Sequence, residues 1–132
     1  MRFLVDTNDF LEVLLGQERA EEAQAFLLKT REHTFFMSDY RLHSVGLLLF
    51  RRNRHEVFRQ FLEDMVLNGA VEIVDLPPGQ MEYAITAALQ FDLDFDDAYQ
   101  YAVAKARGLR LVSLDANFDR TDLERMTPGD VQ

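Results

Sequence analysis

Aspartate recurs in this chain at the places where an α/β fold concentrates reactive groups. The apolar run FLV at 3–5 leads directly into Asp6, and the run LVS at 111–113 leads towards Asp115. Between them the acidic stretch FDLDFDD at 91–97 carries Asp96 and Asp97 where a helix should begin. If the two strands are parallel neighbours, Asp6 and Asp115 share one sheet edge, and a helix starting at that edge adds Asp96 and Asp97. Carboxylates so close repel unless a hard cation neutralises them, and Mg2+ or Mn2+ takes such oxygen ligands readily. Each acid also has a plainer reading: Asp6, Asp96 and Asp97 suit helix caps, and Asp115 suits a turn. Two strand-end aspartates with a helix-start pair are more than capping requires, so the metal reading leads.

Other chemistries are narrowed by composition. The 132 residues include no cysteine, which removes disulfides, thiolate metal sites and cysteine nucleophiles. His33 and His55 lack ligand spacing; His43 could be a metal ligand or a phosphate contact but, within an apolar helix, is read first as packed or hydrogen-bonded. A net charge of −9 opposes binding to a polyanion unless metal or a local basic patch reverses the field. The one basic island is RRNRHEVFR at 51–59, where Arg51, Arg52, Arg54 and Arg59 face only Glu56. It could grip phosphates or an acidic partner, although a solvated helix junction would also tolerate it. Phe26, Phe58 and Phe61 fall at core spacings and are read as packing. A haloacid-dehalogenase-type phosphatase would want an acid two residues after Asp6, where Asn8 stands, and a receiver domain would want paired acids at the first strand end.

The elements that must position these groups follow from periodicity. With 48% hydrophobic and 28% charged residues the chain reads as one globular domain over 1–132, with no apolar run near the roughly 20 residues of a membrane span. The opening MRFLVDTN has no signal-peptide character, and a soluble, cytoplasmic protein is expected. Strands are expected at 3–5, 34–37, 71–74 and 109–113. Helices are expected after DTND, from about 19 to 29, after a cap at Ser38 or Asp39, and from about 54 to Asn68-Gly69. Two more should follow: one marked by Met81, Ile85, Ala88 and Leu89, and one opened by Asp96 or Asp97, with Ala98, Ala102 and Ala106 as a close-packing face and Gly108 beyond its end. The polar tail from Asn117 resists assignment. Strands alternating with helices predict a three-layer α/β/α sandwich around a central, mainly parallel sheet, and the apolar helices leave room for a homodimer.

LVDTN at 4–8, DFDDAYQYAVAKARG at 94–108 and LRLVSLDANF at 109–118 together resemble, in order and spacing, the first, third and fourth blocks of the PIN-domain family. The resemblance implies a parallel sheet flanked by helices and a metal-dependent nuclease site of the kind found in VapC-type toxins, with RNA as substrate and a small antitoxin as partner. Carried over by position, the family's acids fall on Asp6, Asp97 and Asp115, with Thr7, Ser113 and Asn117 at supporting polar positions and Asp96 as an extra neighbour. One block departs. In MSDYRLHSVGLLLF at 37–50 the family's usual glutamate falls on Ser44, with His43 beside it, so one carboxylate is missing; Asp39, Asp9 and Glu12 are the candidates to compensate. A catalytically weakened PIN domain, acting as an RNA-binding or protein-interaction module, is the alternative.

If the arginine island grips phosphates, neutralising Arg51, Arg52, Arg54 and Arg59 together should weaken RNA binding and lower the salt slope of log K by up to about one unit per lost contact. Binding measured across a salt series checks this, and an unchanged slope removes the island from the contact surface.

Overall fold

The computed structural model describes residues 1–16 and 20–131, with side chains left undescribed at 7–9, 12, 20, 22, 23, 27, 30 and 31. Its centre is a sheet of five strands, β1 (Arg2–Val5), β2 (Thr34–Ser38), β3 (Val71–Val74), β4 (Arg110–Val112) and β5 (Arg125–Met126), in the order β3-β2-β1-β4-β5 with every pairing parallel. Parallel neighbours need crossovers. These are supplied by α1 (Thr7–Leu14), α2 (Ala20–Leu27), α3 (Asp39–Arg51), α4 (His55–Phe61), α5 (Met81–Phe91) and α6 (Phe95–Arg107).

Alternation along the strands explains the two layers of core. Phe3, Val5, Phe35, Met37 and Val112 face Phe10, Phe26, Val45, Leu49 and Phe61 from α1 to α4. Leu4, Phe36 and Leu111 face Ala84, Ala87, Ala98, Ala102 and Val103 from α5 and α6. With both faces covered, the strands are almost wholly apolar, as parallel strands are. The register sets Phe3 against Arg110 and Val5 against Val112. The Asp6 N–H then donates to the Val112 carbonyl at 3.0 Å, so the chain leaves β1 and β4 at the same edge.

Several sequence expectations shift. The tail forms β5, a two-residue strand too short to carry an alternation pattern. The helix from 54 passes into a π-helical turn over Leu62–Leu67. On α5 the buried residues are Ala84 and Ala87, whereas Ile85 and Leu89 are exposed. Small alanines on α5 meet Ala98 and Ala102 on α6, and that close approach turns the larger side chains outward; Ala106, in the last turn of α6, is exposed as well. Helix α6 begins two residues earlier than expected because Asp94 is its cap, accepting from the Asp97 N–H at 3.0 Å. Among the described residues no helix is long and apolar enough to cross a membrane.

Gly46 lets α3 pack against α4: a Cβ there would lie 2.9 Å from the Phe58 ring. Gly46→Val should therefore cost about 1–3 kcal/mol through overpacking. Urea unfolding is the check, and a variant as stable as the wild type would mean that the Phe58 ring gives way freely.

Candidate active site

The carboxyl edge of β1 and β4 holds a buried group of polar side chains. Asp6 follows β1 and is only 2% exposed; Asp97, in the first turn of α6, is 5% exposed. Both meet one cation. Arg41, in the first turn of α3, sets its Nε 3.0 Å from Asp6 Oδ1 and its second terminal nitrogen 3.1 Å from Asp97 Oδ1, with its own side chain 11% exposed. The remaining carboxylate oxygens are also held. Ser113 Oγ donates to Asp6 Oδ2 at 2.8 Å, and Asn117 Nδ2 donates to Asp97 Oδ2 at 3.4 Å. The inward oxygens of the two acids thus face a shared space now spanned by a guanidinium.

Asp115 reaches this group from beyond β4. The strand ends at Val112, and Asp115 caps a 3-10 turn over Ala116–Arg120, its Oδ1 accepting from the Asn117 N–H at 2.8 Å. Its own N–H donates to Ser113 Oγ at 3.0 Å, so Ser113 links the first and last acids. Burial, then the charges of Asp115 and Asp94, push the Asp97 carboxyl above its ordinary pKa, while Arg41 and Asn117 pull it down.

Arg41 is placed by its helix start. Ser38, the residue before α3, accepts from the Arg41 N–H at 3.1 Å and donates to Gln100 Oε1 at 3.0 Å. Ser38 and Gln100 are both fully buried, so this pair ties the start of α3 to α6. Gln100 Nε2 has no hydrogen-bond partner among the described residues. A buried donor in that state costs about 1–3 kcal/mol unless an acceptor meets it, so a water or ligand oxygen would be welcome one turn below Asp97.

Other expected site residues lie elsewhere. Asp96, expected among the metal ligands, accepts from Tyr40 Oη at 2.5 Å instead of joining the pair. One residue along a helix turns a side chain by about 100°, so Asp96 and Asp97 cannot share a direction. Asp39 accepts from Tyr99 Oη at 2.7 Å and from the Tyr40 N–H, and burial pushes that Tyr99 hydroxyl up to about 12. Ser44 Oγ donates to the Tyr40 carbonyl within α3, and His43 is exposed; no described contact joins either to the acids. The side chains of Thr7, Asp9 and Glu12 lie outside those described.

The arginine island stands at the other end of α3. Arg51 is ten residues beyond Arg41, or about 15 Å at the helical rise, and Arg51, Arg52, Arg54 and Arg59 are all exposed. Arg59 pairs with Glu56 at 3.2 Å. The island is therefore not the only positive charge that bears on function. Sequence reasoning passed over Arg41 because a lone arginine three residues after a cap has no signature; its importance comes from two aspartates far away in the chain.

Residues 3–124 match the PIN domain family, and the chain belongs to it. Among solved structures the fold is similar to Mycobacterium tuberculosis VapC20, described as a sarcin-ricin loop cleaving toxin: TM-score 0.77, 21% identity, covering 92% of this chain and 96% of that one. It is similar also to VapBC2 from Rickettsia felis, solved with a DNA fragment from its promoter, at TM-score 0.76 and 17% identity over 95% and 98% of the two chains. A third is FitAcB from Neisseria gonorrhoeae, at TM-score 0.71 and 23% identity over 99% and 100%. A search of curated protein sequences finds no significant match.

The raised Asp97 pKa carries a sign. The native protein holds this proton more tightly than the unfolded chain, so stability falls as pH climbs from the ordinary carboxylate pKa of about 3.9 through the raised value. Asp97→Asn should be at least as stable as the wild type at pH 7, with any advantage vanishing near pH 3. Urea melts at both pH values test this; a variant clearly less stable at pH 7 would show that the Arg41 ion pair outweighs burial.

Proposed function

We propose that this chain is a divalent-metal-dependent endoribonuclease and the toxin of a toxin–antitoxin pair, working on RNA in the cytoplasm. The observation that carries the reading is the buried Asp6–Asp97 pair at the switch point of a parallel sheet, with Asp115 close enough to raise the Asp97 pKa. The donor set fits a hard cation, because Asp6, Asp97 and Asp115 offer oxygen ligands from one sheet edge. Among the described residues no trio of acid or histidine side chains already stands in coordinating geometry, so the ligands must close around the ion.

Asp6, Asp97 and Asp115 would hold the ion, Mg2+ or Mn2+. When bound it withdraws charge from a scissile phosphodiester and acidifies water near neutral pH. Ser113 holds Asp6 Oδ2 and Asn117 holds Asp97 Oδ2, so that Oδ1 of each acid, now paired with Arg41, would face the ion. The Ser113 bond to the Asp115 N–H sets the turn that carries the third acid. RNA approaches the open side of this edge, and the distant arginine island meets a neighbouring stretch of backbone. Exposed apolar side chains, Leu47 and Phe50 on α3 and Ile85 and Leu89 on α5, offer surfaces to an antitoxin or a second copy.

The placement of Arg41 and the absence of an acid at Ser44 favour a second reading: a weakened PIN domain that binds RNA or protein without cutting. RNA cleavage separates the two. The nuclease reading expects Mn2+-dependent cutting that EDTA abolishes and that Asp6→Asn reduces by at least about a hundredfold. Cleavage that survives EDTA or Asp6→Asn belongs to a contaminant, and no cleavage at all selects the second reading.

A further inference from the structure

We propose that Arg41 is a resident counter-ion that competes with the divalent cation for Asp6 and Asp97, so that metal enters only when the guanidinium leaves. This rests on the nuclease reading and concerns what controls its site. The geometry is direct. Nitrogens of one guanidinium lie 3.0 Å from Asp6 Oδ1 and 3.1 Å from Asp97 Oδ1, the oxygens not taken by Ser113 and Asn117. An ion coordinated by those same oxygens at about 2.0–2.1 Å cannot coexist with guanidinium nitrogens at ion-pair distance in the same space. The guanidinium suits the place because its planar fork spans two carboxylates, which the compact ammonium of lysine does less well.

The arrangement is built rather than incidental. Ser38 caps α3 through the Arg41 N–H and is itself anchored to the buried Gln100, which fixes where the Arg41 side chain begins. The Arg41 charge also removes the repulsion that would otherwise drive metal uptake, since two buried carboxylates without a cation are strongly unfavourable. Metal-free protein is thereby stable, and metal binding costs the opening of the ion pair. If the guanidinium is away for 1–10% of the time, apparent metal affinity falls by roughly ten- to a hundredfold.

The test is Mn2+ binding by calorimetry, together with the Arg41 Nε–H resonance of the wild type during Mg2+ titration. Arg41→Gln should bind Mn2+ roughly ten- to a hundredfold more tightly than the wild type and lower the metal-free Tm by roughly 5–15 °C. Arg41→Lys, which keeps the charge and guards against a folding defect in the glutamine variant, should fall between them. Mg2+ should shift the wild-type Arg41 resonance as the ion saturates. Equal or weaker metal binding by both variants, with an unmoved Arg41 resonance in a wild type that does bind metal, overturns the competition and leaves the nuclease reading intact. No metal binding by any of the three proteins at millimolar concentrations overturns both.

Discussion

Two buried carboxylates from opposite ends of the chain cannot share a sheet edge without a positive charge, and in this protein Arg41 supplies it. Taking charged groups out of water is expensive, and mutual attraction offsets that expense only where geometry is good and spare lone pairs are satisfied. Here the spare oxygens of Asp6 and Asp97 are met by Ser113 and Asn117, and the inward ones by one guanidinium. Much of the architecture serves this arrangement. The β1–β4 pairing brings Asp6 beside Ser113, the Asp94 cap starts α6 so that Asp97 points inward, and the Ser38 cap starts α3 so that Arg41 can reach both.

The same arrangement frames membership of the PIN domain family. The chain carries acids at the end of its first strand, at the start of its last long helix and beyond β4. Arg41 lowers the negative charge of the site. Yet the Asp97 carboxyl remains pushed above its ordinary pKa by burial and by Asp115 and Asp94.

Rigid and adjustable parts are distributed accordingly. Ser38, Gln100 and Ser113 are fully buried and hydrogen-bonded to the elements they join, whereas Asn117 is exposed and Asp115 sits in a short turn. Buried polar links thus form the framework of the site, and the Asp115 turn with Asn117 forms its rim. The network of Tyr40, Tyr99, Asp39 and Asp96 lies beside it, and by holding Asp39 and Asp96 it keeps two further acids away from the centre.

The sequence by itself determined the fold class, the position of most elements and the acids at the sheet edge. Those features are local: apolar runs make strands, helical periodicity makes crossovers, Gly108 ends α6 with a left-handed residue at φ 63°, and parallel strands ending in aspartate bring acids to one side. Family blocks spanning residues 4 to 118 added the assignment of Asp97 over its neighbour. Tertiary structure alone decided which face of α5 is buried, that a two-residue β5 completes the sheet, and above all that Arg41 stands between Asp6 and Asp97. The reason is physical: an ion pair between residues 35 and 56 positions apart leaves no periodicity in the chain, because its energy depends on a distance that only the packed sheet and helices define.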